Sequence, residues 1–231
     1  MSEARLTVLD TEGTLDEVAS LGDMGIGEQV QSVRFLDDIA YLVTFRQVDP
    51  LYAVDLSDPR APRLLGELKI PGFSEYLHPV GDGLLLGVGR QVDPSSGMDQ
   101  GLKISLFDMA DPTRPAELDQ IVLPGASSEV SNDHRAFLWD PNRRQAVIPT
   151  ELSGCDDFGR CASTPGGAAL VVEAGRDGLS ENGRIVHDTG DGWSLQPTRS
   201  VVVDDDLWTV SIAALGRTDA DSPTGVQLLP F

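Results

Sequence analysis

Lysine is almost missing from this chain. Lys69 and Lys103 are the only two in 231 residues, and 37 carboxylates stand against 17 basic side chains, a formal net charge of -20. With no basic stripe to neutralise phosphates, nucleic acid is excluded as an expected partner. The acidity itself reads as solubility, with an acidic binding surface as the sharper alternative. Long apolar runs are missing as well. No segment approaches the ~18 consecutive apolar residues of a spanning helix, so no membrane insertion by this chain is expected. The opening "MSEARLTVLDTEG" lacks the basic-then-apolar build of an export signal. No long stretch carries a 3.6-residue apolar period, which leaves helices nearly absent. Three histidines, His78, His134 and His187, fall on separate segments without ligand spacing, so no zinc site is expected.

What the sequence does contain is repetition. "VDLSDPRAPRLLGELKIPG" (54–72) returns as "FDMADPTRPAELDQIVLPG" (107–125), with the apolar letters in register and most surface letters changed. Each copy is a β-branched, apolar run stopped at Asp58-Pro59 or Asp111-Pro112, then a second alternating run closed by Pro-Gly. Proline has no N–H for a ladder, so Pro59 and Pro62, like Pro112 and Pro115, bracket a loop. A second duplication lies inside the first. Arg46-Gln47-Val48-Asp49-Pro50 returns letter for letter at 90–94, each time after two strand-like stretches joined by an Asp/Gly turn.

The unit therefore has four strands, here called A to D. The RQVDP copies lie 44 residues apart and the Asp-Pro copies 53, the excess falling in "SSGMDQG" and its flanks. Further along, "HRAFLWDPNRRQAVIPTEL" reads as A–B and "GGAALVVEAGRDGLSENGRIVHD" as C–D with a longer polar turn. "RSVVVDDDLWTVSIAALG" and "GVQLLPF" supply A, B and C of a last copy, and "RLTVLDTEGTLDEVASLGDMG" a C–D pair at the start.

Four-stranded units at this spacing predict an all-β protein, a β-propeller of about four antiparallel blades, because one small sheet cannot bury both faces alone and must stack on its neighbours. A sandwich or a run of unrelated hairpins is the alternative. Residues 1–27 are assigned the outer strands of a partial blade, 28–72, 73–125 and 126–189 one blade each, and 190–231 a second partial blade. An incomplete ring that stays an arc, joins another copy or forms part of a larger propeller is the expectation, since exposed blade faces and strand edges invite association.

The stretch from "QSVRFLDDIAYLVTFRQVDP" through "ELKIPGFSEYLHP", with "GLKISLFDMADPTRPAELD" and "DHRAFLWD", resembles the prokaryotic β-propeller domain family found in large secreted or membrane-anchored proteins. The resemblance covers roughly residues 27–149. It implies a propeller fold and an extracellular or cell-surface setting. It assigns no biochemical role.

Function has to come from a site. In a propeller the B–C and D–A connections share one end, and the B–C connections here grow: "RQVDPSSGMDQG", "SGCDDFGRCASTPGG" and "GRTDADSPTG". Arg34, His78, His134, Arg135 and Arg199 fall at or inside A strands, where they are candidates to hold an anion at the channel mouth. The competing reading pairs them with Glu75, Glu129 or Asp133 to order the loops. Arg46 with Asp49, and Arg90 with Asp93, read as repeat-fixed loop anchors. "SNDH" at 131–134 has the letters of a triad without a nucleophile elbow, so no catalytic residue is assigned. No cofactor is expected, with calcium at Asp93–Asp99, Asp156-Asp157 or Asp204–Asp206 the weaker alternative to solvated turns. Cys155 and Cys161 share one loop and are read as a disulfide, with two free thiols as the alternative.

These readings favour a non-catalytic binding or scaffold module, recognising a protein or glycan through one propeller face. A hydrolase-like enzyme at the channel mouth and a structural segment of a larger propeller are the alternatives.

Overall fold

A computed structural model describes residues 2–45, 49–152, 166–188, 190 and 194–231, with the side chain of Asp49 outside the described set. The chain is built from antiparallel sheets laid down in sequence order. The first holds β1 (Ala4–Leu9) and β2 (Glu17–Met24). The second holds β3 (Gln29–Leu36), β4 (Ile39–Phe45), β5 (Asp49–Asp55) and β6 (Arg63–Ile70). The third holds β7 (Phe73–Gly81), β8 (Leu84–Val92), β9 (Asp99–Asp108) and β10 (Ala116–Pro124). In the fourth, β11 (Ala126–Ser127) and β12 (Leu138–Asp140) both pair with β13 (Gln145–Leu152), followed by β14 (Gly166–Gly175) and β15 (Gly178–Ile185). A short pair, β16 (His187–Asp188) and β17 (Ser194–Leu195), leads to the last sheet: β18 (Arg199–Val203), β19 (Asp206–Val210), β20 (Ala214–Asp219) and β21 (Gln227–Pro230). No α-helix occurs among the described residues, and no helix is long and apolar enough to cross a membrane.

Local chemistry explains the turns. A–B hairpins close through Asp37, Asp82 and Asp204, each in the left-handed region that aspartate tolerates better than most residues. C–D connections fold on Asp58, Asp111 and Asp219, whose carboxylates accept the amide two residues on at 2.8–3.1 Å.

Alternation along the strands then makes the core. Each pair of neighbouring sheets encloses its own apolar cluster. Ala4, Leu6 and Met24 meet Leu42 and Val54; Tyr41, Leu51 and Ala53 meet Leu77, Leu85 and Phe107; Leu86, Val88 and Ile104 meet Ile148, Leu170 and Val172; Val147, Val171 and Ile185 meet Leu207. Among the described residues no such cluster joins the first sheet to the last, and the stack is an open arc. Side-chain pairs tie the same junctions. Arg144 reaches Asp82 at 2.8 Å, and Arg143 holds Asp140 at 3.1 Å and Asp205 at 3.0 Å.

Three strand assignments differ from the sequence reading. The last copy has four strands, because the B–C connection is the tight turn Ser211–Ala214, closed by Ser211 N–H to Ala214 C=O at 3.0 Å. "GRTDADSPTG" therefore belongs to β20 and the C–D connection, at the opposite end from the B–C loops, and "GVQLLPF" holds strand D. The polar turn expected after Gly175 is only Arg176-Asp177, since β15 runs on through the polar residues. Finally, strand A of the fourth sheet is interrupted. Two short 3-10 turns, Glu129–Ser131 and His134–Ala136, separate β11 from β12, capped by the Ser128 and Asp133 side chains.

Candidate functional site

The end of the arc that carries the starts of the A strands and the B–C connections has a cleft of about 380 Å³ between the third and fourth sheets. β7 contributes Phe73 and Glu75, the β8–β9 hairpin Arg90 and Asp99, and the interrupted A strand Ser128, Glu129, Ser131 and Asn132. Glu151 from the end of β13 and Gln196 from the approach to β18 complete it. Its fixed parts are well tied. Ser128 Oγ donates to the Pro149 carbonyl at 2.6 Å, Ser131 Oγ donates to the Glu75 carboxylate, and Arg90 Nη1 donates to the Ala126 carbonyl at 3.1 Å. Arg90 also pairs with Asp99, through Nε at 2.8 Å. Phe73 is backed by Phe45, ring centroids 4.3 Å apart.

Charge in this cleft is opposite in sign to the anion site expected from the sequence. Its one guanidinium is spent on Asp99 and a carbonyl, while Glu129 and Glu151 carry carboxylates, and Asn132 and Gln196 amides, with no side-chain partner among the described residues. Such groups offer acceptors and neutral donors beside an aromatic rim.

The five expected anion ligands do not come together. Arg199 Nη2 donates to Asp133, Arg135 lies 3.7 Å from the same carboxylate, and the Asp133 carboxyl is held below its ordinary range by the Arg135 amide first and by the Arg199 and Arg135 charges next. His134 is exposed beside them. Arg34 and His78 form a separate group nearer the A–B turns. His78 Nδ1 lies 2.9 Å from the Tyr76 hydroxyl, and burial, then the Arg34 charge, push the ring down to about 4. Of the letters "SNDH", Ser131 turns to Glu75 and Asp133 to the arginines, so the two do not share a site.

The loop-anchor pairs also differ in partner. Arg90 takes Asp99, whereas Asp93 closes its own turn with Ser95 N–H at 2.8 Å and Ser96 N–H at 3.0 Å; the Ser95 hydroxyl and these amides hold its carboxyl at about 2. Arg46, Cys155, Cys161 and Asp156-Asp157 lie outside the described residues, as does the Asp49 side chain. Asp205 and Asp206 are taken by Arg143 and Arg217. Among the described residues no three His, Cys, Asp or Glu side chains are placed to hold a metal ion.

Sequence reasoning missed Glu75, Glu129, Ser131 and Glu151 as a set, because they come from three strands of two sheets. It also missed His187, buried between Ser211 Oγ at 2.8 Å and Thr209 Oγ1 at 2.7 Å, which fastens β16 to the last sheet.

Stacked four-stranded antiparallel sheets, each burying one face against the next, define a propeller architecture. The chain belongs to the beta propeller domain family, which it matches over residues 1–222. That span exceeds the 27–149 carrying the resemblance in the sequence, since the interrupted A strand and the shifted last copy blur the repeat. It is 42% identical over 142 residues to an uncharacterised protein of Methanocaldococcus jannaschii, covering 62% of this chain and 22% of that protein. An uncharacterised protein of Archaeoglobus fulgidus is 41% identical over 152 residues, 66% of this chain and 23% of the relative. The matched segment spans less than a quarter of either relative.

Proposed function

We propose that this domain is a non-catalytic binding module that takes a glycan at the cleft between the third and fourth sheets. The observation that carries the reading is the set of cleft groups without side-chain partners among the described residues: the Glu129 and Glu151 carboxylates and the Asn132 and Gln196 amides beside Phe73. Vicinal hydroxyls satisfy carboxylate acceptors and amide donors together, and a sugar's C–H face suits an aromatic rim. A protein ligand presenting hydroxyl or basic side chains fits the same groups, and a net charge of -20 steers cations rather than anions toward it.

The proposal extends to setting. An exported or surface-associated parent protein, with the Cys155–Cys161 pair oxidised, agrees with the resemblance on which the sequence reading rests. Uptake of two alkyl groups per chain without reductant would remove the disulfide from this reading. We further infer that the outer face of the last sheet seats another sheet, here from a second copy.

Screening the intact chain against neutral and acidic oligosaccharides, with amide exchange as the footprint, tests the function. The expected result is a bound neutral oligosaccharide that slows exchange at 73–75 and 127–132. A ligand whose footprint falls only on the A–B turns would refute the placement.

A further inference from the structure

The inner edge of the arc carries a second group of side chains, remote in kind from the acidic cleft. β3 and β7 are the first strands of successive sheets and run side by side, pinned where Ser32 Oγ donates to the Ser74 carbonyl at 2.7 Å. Farther along the same two strands stand Arg34, Tyr76 and His78. Phe137 and Trp139 approach from the fourth sheet. The His78 ring centroid lies 4.8 Å from Phe137 and 6.4 Å from Trp139, and Tyr76 lies 5.1 Å from Phe137.

Hydrogen-bond accounting makes this group unusual. Arg34 is half-buried and its charge acts on both Tyr76 and His78, yet no described residue accepts a hydrogen bond from it or pairs with it, and its Nε is buried without a partner. In a protein where nearly every other enclosed arginine meets a carboxylate, that omission needs a reason, because a buried donor left unpaired loses its hydration without compensation. His78 is neutral at neutral pH and Tyr76 stays protonated. The Tyr76 hydroxyl and His78 Nδ1 share one hydrogen bond, and His78 Nε2 makes none among the described residues. His78 stands beside two aromatic rings with the Arg34 charge acting on it, and among the described residues no carboxylate pairs with either side chain.

We propose that Arg34 and His78, flanked by Phe137 and Trp139, form a second binding site that takes the carboxylate of a small organic anion with a flat apolar body. The guanidinium donates to the carboxylate oxygens, and the rings cover the apolar part. Arg199 and Arg135 are unsuited to the role, since both already pair with the Asp133 carboxylate.

Benzoate and its neutral isostere benzamide are the probes, with the Trp139 indole N–H followed by NMR in the intact chain. Benzoate is expected to shift this resonance saturably and benzamide to leave it in place. Arg34→Gln is expected to weaken benzoate roughly tenfold, about 1.4 kcal/mol. His78→Leu should weaken it as well, whereas Arg60→Gln, at an exposed arginine in the loop after β5, should not. An unmoved Trp139, equal shifts with benzamide, or undiminished binding to Arg34→Gln would each overturn the site. The contrast between the two compounds in the unsubstituted chain decides the matter even where a variant fails to fold.

Discussion

Lys103 shows how little of this protein's charge is idle. It is 3% exposed, and its ammonium lies 2.9 Å from Glu117 and donates to the Pro71 carbonyl at 3.0 Å, tying the exit of the second sheet to the third. Removing one partner of a buried pair strands the other, so Lys103→Ala should cost about 3–5 kcal/mol in urea unfolding. A loss below 1 kcal/mol, on the order of a surface pair, would mean the pair is solvated. His78 and His187 set a pH dependence. Burial lowers both pKa values, His78 to about 4. Each ring is neutral when folded and binds a proton more readily once unfolded. Their stabilisation is therefore complete above the unfolded pKa near 6.5 and is lost as pH falls through the lowered folded-state pKa, about 4 for His78. Unfolding midpoints at about pH 7.5 and about pH 5 should fall, and His187→Gln should remove part of that fall. A rise toward pH 5 would contradict the assignment. None of this was legible beforehand, since a buried histidine and an exposed one are the same letter; only proximity to Ser211 and Thr209 decides it.

Strand D of successive sheets carries one device three times. The ladder slips at Leu64/Gly66, at Glu117/Asp119 and at Glu181/Gly183, and each slip receives the C–D connection of the following sheet. A Cβ at Gly66 would stand 2.5 Å from the Pro112 carbonyl oxygen, and one at Gly183 2.6 Å from that of Pro223; between them, Asp119 accepts the Leu179 amide at 2.8 Å. Neither glycine needs a left-handed backbone, so the requirement is steric. Gly66→Ala and Gly183→Ala should each destabilise by about 1–3 kcal/mol, as overpacking does, while Gly175→Ala, facing only the Arg144 side chain, should not approach that loss. Equal melting for all three would remove the steric explanation. At this scale the sequence was most informative: the duplicated Asp-Pro phrase is the C–D turn and strand D, and its period located the second and third sheets. The fourth and last sheets were read less well. There the A strand breaks into 3-10 turns, and a tight B–C turn without Pro or Gly gave no signal.

Among the described residues the sheets form an arc, and the outer face of the last sheet is uncovered. Val201 and Val203 on β18 are 48% and 51% exposed, and Leu229 on β21, at the far edge of the sheet, lies on the same face. Light scattering should find an association that Val201→Glu with Val203→Glu abolishes; a wild-type monomer over a wide concentration range would refute it. Neither this face nor the cleft could be placed from letters alone, because both depend on which sheets touch. The sequence listed Arg199 and Arg90 as cations of the loop end, but their pairing with Asp133 and Asp99 is invisible until the strands are side by side. The most direct test of the binding cleft is titration calorimetry of oligosaccharides from disaccharide to hexasaccharide against the intact chain and its Glu129→Gln/Glu151→Gln variant. The account predicts heat with at least one neutral oligosaccharide, lost in the variant while its melting temperature is kept. Undiminished binding by the variant, or no binding of any oligosaccharide by the intact chain, would contradict it.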